Sequence, residues 1–264
     1  MRCALRTSCE QTLHVANDIV DNVSFQKTSD GQRPVVIITG ASRGIGAALV
    51  PAYVNAGYNV VATSRSIQTS TDPNVFAVAG DIGDPHTAAR VTGAAVERFG
   101  RLDTLVNNAG IFVAKPFLEY TDEDYESVVS TNLKGFFNIT QRALAIMEPQ
   151  GFGHVVTITA SLADQPIEGV PAALASLTKG ALNAATKGLA IEYASREIRV
   201  NAVAPGVIDT PMHAENSHAA LAAMHPLRRM GEVADVVSAV MYLENASFVT
   251  GEVAYVDGGL SAGR

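Results

Sequence analysis

Short apolar segments alternate with longer segments of helical periodicity along most of the chain. Strands that alternate with helices favour parallel pairing and right-handed crossovers. We therefore predict a doubly wound α/β sheet with helices on both faces. The predicted strands are residues 35–38, 58–64, 75–79, 104–106, 154–159, 199–203 and 253–256, and the predicted helices are residues 47–56, 87–99, 122–147, 173–195 and 233–243.

The first strand runs directly into a glycine-rich turn, in the sequence VVIITGASRGIG of residues 35–46. Gly40, Gly44 and Gly46 separate an apolar, β-branched run from a helical segment. The first N–H groups of a helix lack partners and attract negative charge, and glycines let a diphosphate approach the backbone. A glycine triplet alone also fits a structural turn without a ligand, but its place after a buried strand favours an anion site.

Composition narrows the possible partners. The 264 residues are 47% hydrophobic and 17% charged, which is enough apolar material for a sizeable core. The net charge of −7 disfavours nucleic acid as a partner, and no apolar run approaches the roughly 20 residues that span a membrane. The two cysteines, Cys3 and Cys9, lie near the start of the chain. This cysteine usage fits a reducing compartment, and we expect a cytoplasmic protein.

Residues 1–34 differ from the rest because they contain no sustained apolar run. We predict an N-terminal extension that is poorly ordered or loosely docked, followed by one domain over residues 35–264. An amphipathic helix over residues 11–23 is the alternative.

Two arginines stand where a dinucleotide fold meets the adenosine ribose. Arg43 lies within the glycine turn, and Arg65 follows the second strand, where no acidic residue is found. An acid at that place suits a free 2′-hydroxyl, whereas cations suit a 2′-phosphate. Together the arginines favour NADP(H) over NAD(H), although each alone is more often a solvated surface residue.

Polar residues also follow the third and fourth predicted strands. Asp81 has two interpretations. It either accepts a hydrogen bond from an adenine amino group, with Ile82 packed on the adenine ring, or caps a turn. The run Asn107-Asn108-Ala109-Gly110 is typical of a turn, but at the carboxyl end of a parallel strand it would face the ligand crevice.

Taken together, the order and spacing of these motifs resemble the short-chain dehydrogenase/reductase family. The matching segments are TGASRGIG (39–46), NNAG (107–110), Asn132 within STNLKG, Ser161, Lys179 and NAVAPGVIDTPM (201–212), with FVTGEVAYVDGG (248–259) near the end. The resemblance implies a single Rossmann-type domain with seven parallel strands. It also implies NAD(P)-dependent chemistry on a small carbonyl or alcohol substrate, in a homodimer or homotetramer built on helices 122–147 and 173–195.

The resemblance assigns a role to each matching residue. Asn132 would order a water-linked proton path, Ser161 would polarise the carbonyl, and Lys179 would bind the nicotinamide ribose. The implied cofactor contacts are Gly40, Ser42, Arg43, Gly44, Ile45 and Gly46 at the diphosphate and nearby ribose, Asp81 and Ile82 at adenine, Asn108, Ala109 and Gly110 along the nucleotide, and Pro205, Gly206, Ile208 and Thr210 at the nicotinamide end.

One member of the family's catalytic set is missing from the sequence. The family places a tyrosine four residues before the lysine, but this chain has Ala175 there, and residues 162–192 contain no tyrosine. Alanine has no proton to give. Substitute donors are Lys179 itself, a water, His213, His225 or Asp164, although a lone histidine or loop aspartate is more often a surface residue.

The sequence thus leaves two main functions open. The first is an NADP(H)-dependent oxidoreductase with a tyrosine-independent mechanism, and the second is a regulatory protein that binds dinucleotide without turnover. A third interpretation makes Ala175 an engineered substitution in an ordinary reductase. The intact Ser161, Lys179 and Asn132 favour the first. No histidine–carboxylate pair has the spacing of metal ligands, so we expect no metal site.

Overall fold

A computed structural model describes residues 31–212 and 218–263. Seven parallel strands form one sheet in the order β3-β2-β1-β4-β5-β6-β7. This arrangement confirms the predicted doubly wound parallel sheet. The strands are β1 (Val35–Thr39), β2 (Asn59–Ser64), β3 (Val75–Ala79), β4 (Thr104–Asn107), β5 (Gly153–Ile158), β6 (Ile198–Pro205) and β7 (Val253–Val256).

Helices cover both faces of the sheet. They are α1 (Gly44–Asn55), α2 (Pro85–Phe99), α3 (Asp122–Val129), α4 (Gly135–Gln150), α5 (Ala173–Tyr193), α6 (His218–Met224) and α7 (Val233–Asn245). Short 3-10 segments occur at Phe117–Glu119, Ser161–Ala163, Ala194–Arg196 and Leu260–Ala262. None of these described helices has the length and apolarity needed to cross a bilayer.

Alternate residues of β1 enter two separate hydrophobic cores. Val35 and Ile37 pack into a core that contains residues of α2, α4 and α5. Val36 and Ile38 pack into a second core, which contains residues of α1 and α7. Successive side chains of a strand point to opposite faces, so a strand covered on both faces must be apolar throughout. The continuous apolar run of β1 follows from this burial.

The predicted helix over residues 122–147 is divided by a π turn. Regular α-helix ends at Val129, a π segment occupies Ser130–Lys134, and α4 begins at Gly135. The backbone N–H of Gly135 bonds to the carbonyl of Ser130, five residues earlier. Such a turn contains one residue more than an α-helical turn, and the helical periodicity of the sequence continues on each side of it. A sequence pattern therefore predicts one uninterrupted helix.

Helix starts were predicted less accurately than strands. Helix α1 begins at Gly44, three residues before the predicted start, because two turn glycines already belong to its first turn. Helix α2 begins at Pro85, where Asp84 caps the backbone N–H of His86 at 2.9 Å. Proline is well suited to the first helical position, since its missing N–H has no helical partner there.

The topology places a crevice between β1 and β4. The chain runs from β1 to β2 and β3 on one side, then returns to β4 on the other side of β1. At such a switch point the two connections leave in opposite directions, and ligands bind outside the carboxyl ends of the strands. The predicted site segments follow these strand ends.

At the opposite end of the sheet lies a buried polar cluster around Glu244. Its carboxylate accepts hydrogen bonds from Thr104 and from the hydroxyls of Tyr53 and Tyr58, at 2.8 to 3.0 Å. It also contacts the imidazole of His154. Thr104 and His154 stand at or near the start of β4 and β5, so this cluster is separated from the crevice by the length of the strands.

Candidate active-site cleft

The carboxyl ends of the central strands open into a cleft of about 630 Å³. It collects residues from the loops after β1, β2, β3, β4, β5 and β6, together with α5 and α6. Most of the sequence-predicted site residues lie on its wall. Those on the wall are Gly40, Ser42, Arg43, Gly44, Ile45, Arg65, Asp81, Ile82, Asn108, Ala109, Gly110, Ser161, Lys179, Pro205, Gly206, Ile208 and Thr210.

The N-terminus of α1 faces this cleft without a side-chain cap. Arg43 is the N-cap residue, its side chain makes no capping hydrogen bond, and the first turn contains no acidic residue. Unpartnered N–H groups and the positive end of the helix dipole favour a diphosphate. A cap or a carboxylate would compete with that anion, so the residues present fit a dinucleotide.

Gly46 lies behind the wall rather than on it. A Cβ at Gly46 would stand 2.3 Å from the carbonyl oxygen of Gly40 and 2.4 Å from Nδ2 of Asn108. Gly40 has a φ of +67°, and a Cβ there would meet Asn108 and Ala109 at under 3 Å. These two glycines therefore allow the turn and the Asn108 loop to pack in direct backbone contact. The structure thus gives Gly46 a packing role, and its diphosphate contact stays a prediction.

Thr39 holds the Asn108 loop against the end of β1. Its Oγ1 accepts hydrogen bonds from the backbone N–H groups of Asn108 and Ala109, at 3.0 and 2.9 Å. In return, Nδ2 of Asn108 donates to the carbonyl of Thr39 at 2.8 Å. The amide of Asn107 is tied to Thr140 Oγ1 at 2.9 Å. The loop after β4 is thus fixed by side chains that the sequence marks only as a turn.

The end of β2 presents cations and hydroxyls to the cleft. Arg43 and Arg65 are exposed and line it, together with Ser64 and Ser66. Thr63 also lines it, and its buried Oγ1 has no hydrogen-bond partner among the described residues. A buried hydroxyl without a partner is costly, so this atom favours an additional polar ligand. Sequence reasoning missed Ser66, although it directly follows Arg65.

Asp81 makes the turn-capping bond that was one of its two predicted roles. Its Oδ1 accepts from the backbone N–H of Gly83 at 2.9 Å. The residue is also exposed and lines the cleft beside the buried Ile82. Its contact with an adenine base stays a prediction.

Lys179 extends from α5 toward the ends of β4 and β5. Its Nζ donates to the carbonyl of Ile158 at 2.8 Å, and a Cβ at Gly110 would stand 3.0 Å from it. Burial lowers the pKa of Lys179 to about 8. The amine therefore remains mostly cationic at neutral pH but gives up its proton more easily than an ordinary lysine.

Ser161 and Ala175 face the same region of the cleft. Ser161 opens the 3-10 segment after β5 and is buried, and Ala175 lies one helical turn before Lys179 on α5. Residues four apart on a helix share a face. Both Ser161 and Ala175 line the cleft, and the described lining contains no tyrosine.

Asn132 lies behind the wall, in the π turn. Its Oδ1 accepts from the backbone N–H of Ile111 at 3.0 Å, and its Nδ2 donates to the carbonyl of the same residue at 3.1 Å. Nδ2 also contacts Oγ1 of the buried Thr178 at 3.2 Å. Asn132 thus connects the loop after β4 with α5, close to Lys179 but outside the lining.

Known proteins match almost the whole described domain. A family model described as enoyl-(acyl carrier protein) reductase matches residues 40–261. The chain belongs to the short-chain dehydrogenase/reductase family. Members of this family are NAD(P)-dependent oxidoreductases, and the sequence resemblance is confirmed at this level.

Individual relatives cover nearly their full length. The chain is 34% identical over 244 residues to the 3-oxoacyl-[acyl-carrier-protein] reductase FabG of Thermotoga maritima, covering 86% of this chain and 97% of the relative. The structure of ElxO with NADP bound superposes with a TM-score of 0.82 at 29% identity, over 88% of this chain and all of that one. A 3-ketoacyl-(acyl-carrier-protein) reductase from Brucella melitensis, complexed with NADH, gives 0.81 at 28% identity, over 87% and 99%.

Within this family fold, His225 is bonded through both ring nitrogens. Nε2 accepts from the backbone N–H of Val207 at 3.1 Å, and Nδ1 lies 3.0 Å from the carbonyl of Leu221, to which it donates. A buried imidazole bonded on both sides supports the loop after β6. It does not line the cleft, so it is not placed to give a proton to a substrate there. His213 lies outside the described residues.

Asp164 also lies away from the cleft wall. It is exposed, and its Oδ2 accepts from Tyr255 at 2.5 Å and from Asn183 at 2.8 Å. The carboxylate raises the pKa of the Tyr255 phenol to about 12. Asp164 is therefore a hydrogen-bond acceptor between α5 and β7, and the expectation of a surface loop aspartate describes it better than that of a substitute acid.

Sequence reasoning missed the apolar part of the cleft. These residues lie on loops after the strand ends and on α6, where the sequence contains no periodic pattern. Their shared property is an apolar side chain in the lining of the cleft that also contains Ser161 and Ala175. They are Phe112, Ala114, Leu162, Ile167, Val170, Met212, Leu221 and Met224.

Proposed function

We propose that the chain is an NADP(H)-preferring oxidoreductase that transfers hydride between this cofactor and a small carbonyl or alcohol substrate. The observation that carries the proposal is one cleft that joins the uncapped α1 N-terminus to Ser161 and Lys179. The family membership supports the reaction class. The alanine at position 175 stands where the family resemblance places a tyrosine acid.

The preference for NADP(H) rests on charge at the end of β2. Arg43 and Arg65 both line the cleft there, and Ser64 and Ser66 add hydroxyl donors. A 2′-phosphate gains charge-assisted hydrogen bonds from guanidinium groups, whereas a free 2′-hydroxyl gains less from them. Asp81 is the acidic residue of the described lining, and it belongs to the next loop.

The chain's own residues would polarise the substrate carbonyl and bind the nicotinamide ribose. The cofactor supplies the hydride chemistry when it is bound. The hydroxyl of Ser161 would donate to the carbonyl oxygen and stabilise negative charge that develops there, an effect often worth a few kcal/mol. The ammonium of Lys179 would hold the nicotinamide ribose, and Asn132 would keep the Ile111 loop in place.

Donation of a proton to the substrate oxygen is the step that this site supports least. Without a tyrosine, general acid catalysis worth about 10²–10⁴-fold has to come from elsewhere. The ammonium of Lys179 and a water in the space beside Ala175 are the remaining sources on the described wall. Activity toward generic ketones should therefore be low.

A catalytically weak or inactive regulatory protein is the alternative, and Ala175 is the observation that favours it. Such a protein would still bind a dinucleotide at the N-terminus of α1, but it would not catalyse a reaction beside Ser161 and Ala175. Ser161 argues against it, because a pure binding module has little use for a hydroxyl at that place.

We also propose that the chain is a cytoplasmic homodimer or homotetramer. Large apolar side chains are exposed on the two helices that the family resemblance assigns to the dimer: Phe137 on α4 is 60% exposed, and Leu177 and Ile191 on α5 are 59% and 82% exposed. Exposed apolar surface of this kind is typical of subunit contacts. Light scattering of the purified chain tests the assembly.

A carbonyl-substrate screen that follows NADPH oxidation tests the reaction. Ser161→Ala should lower any rate about 10²-fold or more, whereas Ala175→Tyr should raise the rate on generic ketones. Fluorescence titration with NADPH separates binding from turnover. Tight NADPH binding without turnover in both the natural chain and Ala175→Tyr would support the regulatory alternative, and no binding at all would contradict both.

A further inference from the structure

The cleft around Ala175 is apolar and poor in acidic protons. Ile167, Val170, Leu221 and Met224 contribute hydrocarbon side chains to the cleft that Ala175 also lines, and Ala175 itself adds only a methyl group. Among the described lining residues, Lys179 is the charged group of this region. A ligand that enters it meets an ammonium and the Ser161 hydroxyl in otherwise apolar surroundings.

The neighbouring hydroxyls are already bonded to backbone carbonyls. Thr159 Oγ1 donates to Val203 at 3.3 Å, Ser176 Oγ to Leu162 at 3.3 Å, and Thr178 Oγ1 to Leu174 at 3.1 Å. Each of these protons has an acceptor within the protein. The ammonium of Lys179 has three N–H groups, and one of them donates to Ile158. The three hydroxyls are therefore engaged within the protein, whereas Lys179 still offers a cation to a conjugate base.

We propose that the substrate brings its own acid: a carbonyl compound with a phenolic or enolic hydroxyl next to the carbonyl, seated over Ala175 with that hydroxyl beside Lys179. The inference rests on the proposed function, because it names the substrate class of the same site. An aryl ring in the ligand would occupy the space that a tyrosine side chain at this position would fill.

The spacing of Ala175 and Lys179 supports this placement. They lie four residues apart on α5, so both side chains are on one helix face, about 6 Å apart at Cβ. A phenol over the alanine would have the ammonium within reach. In apolar surroundings the attraction between an ammonium and a phenolate is stronger than in water, and it lowers the pKa of the bound phenol.

The proton and electron balance is complete with the dinucleotide as the reductant. Hydride adds to the carbonyl carbon, the C=O π bond breaks, and its electron pair goes to the oxygen. That oxygen takes the proton of the adjacent hydroxyl, whose O–H bond breaks. The phenolate is paired with Lys179 and is reprotonated from solvent. The net reaction converts the ketone, NADPH and one proton into the alcohol and NADP⁺.

A matched pair of ketones tests the inference by activity. We expect wild-type protein to reduce ortho-hydroxyacetophenone about 10²-fold faster than ortho-methoxyacetophenone, since the ether has no proton to give. In Ala175→Tyr the difference should shrink, because the methoxy ketone gains a protein acid. Equal wild-type rates on the two ketones would overturn the inference. It would also be overturned if Ala175→Tyr reduced both ketones and the wild-type protein reduced neither.

An absorbance titration of bound ortho-hydroxyacetophenone, without cofactor, gives a second readout. The phenolate band should appear at least one pH unit lower on the wild-type protein than in free solution. The shift should vanish in Lys179→Met, and Ala175→Phe should block binding by filling the space. An unshifted phenol on wild-type protein overturns the inference even if neither ketone is reduced. NADPH binding, measured separately by fluorescence, decides the proposed function independently of this result.

Discussion

Nδ1 of His154 and Oε2 of Glu244 lie 3.0 Å apart at the buried end of the sheet opposite the cleft. Nε2 of the same imidazole faces two donors, Arg199 at 3.3 Å and Asn201 at 3.1 Å. Because Nε2 must accept, the proton lies on Nδ1, and the imidazole is neutral and donates to the carboxylate. This relationship makes folding stability depend on pH.

Acid should therefore destabilise the fold in two successive ranges. Burial lowers the pKa of His154, so the unfolded chain binds more protons below its ordinary value of 6.5 and stability falls as the pH drops from there. Burial alone would raise the pKa of Glu244, but the bonds from His154, Thr104 and Tyr58 hold it below its ordinary value of 4.5. Stability from this carboxylate is then lost below about pH 4.5. Urea unfolding between pH 2 and 8 measures the loss of stability in both ranges.

A pair of variants tests whether the cluster around Glu244 contributes to folding stability. Glu244→Gln should lower the free energy of unfolding by about 2–4 kcal/mol at pH 7, because several buried donors lose a charged acceptor. Glu126→Gln, on the exposed surface of α3, is the matched control and should change it by less than about 0.5 kcal/mol. Equal effects of the two changes would remove the role given to the cluster.

Arg65→Ala should weaken NADPH binding and leave NADH binding nearly unchanged. The expected loss is about 10-fold, since one charge-assisted hydrogen bond contributes about 1.5 kcal/mol. Arg142→Ala, an exposed arginine on α4 outside the cleft lining, controls for net charge. Fluorescence titration of the unchanged chain and the two variants with NADPH and NADH gives the six dissociation constants to compare. A parallel loss for both cofactors would instead place Arg65 at the diphosphate.

Lys179 should impose an alkaline limit on any reductase activity. With a pKa of about 8, the side chain loses its charge above that pH, and kcat/KM for ketone reduction should then fall. In Lys179→Arg the guanidinium stays protonated, so the remaining activity should show no falling limb near pH 8. If kcat/KM of this variant still falls near pH 8, the fall is caused by the titration of a group other than Lys179.

The glycine turn offers a stability test that needs no ligand. Gly46→Ala should cost about 3 kcal/mol or prevent folding, since its Cβ would collide with the carbonyl of Gly40. Gly93→Ala is the matched change in α2, where the nearest atom lies 3.8 Å away. It should stabilise the helix by about 0.5–1 kcal/mol. Thermal unfolding compares the two, and similar melting temperatures would contradict the close packing of the turn.

The sequence predicted the sheet well because its strands are buried on both faces. Burial on two faces demands continuous apolar runs such as residues 35–38 of β1, and these are visible without any structure. Motif order then located most of the cleft wall, since the carboxyl ends of parallel strands meet at one edge. The positions of Ser161 and Lys179 on one wall follow from that geometry.

The parts that escaped prediction depend on contacts distant in sequence. The bond between Thr39 and the Asn108 loop joins residues about 70 positions apart, and nothing local in either segment indicates it. Gly46 was predicted to contact the diphosphate and Asn132 to order a proton path, and these roles stay predictions. Both residues lie outside the cleft lining, where Gly46 packs against Gly40 and Asn132 bonds to Ile111. Contacts of this kind depend on which distant segments meet, which a linear pattern does not contain.

The π turn at Ser130–Lys134 has a consequence for the length of the chain. Each residue of a helix rotates its successor by about 100°. Because this turn already holds one residue more than an α-helical turn, removing one residue there would restore an ordinary helix and leave Ile139, Ala143 and Met147 facing the core that they now fill. A deletion within the regular part of α4 would instead rotate every following residue away from that core. What the extra residue determines is the placement of Asn132, which lies within the π turn.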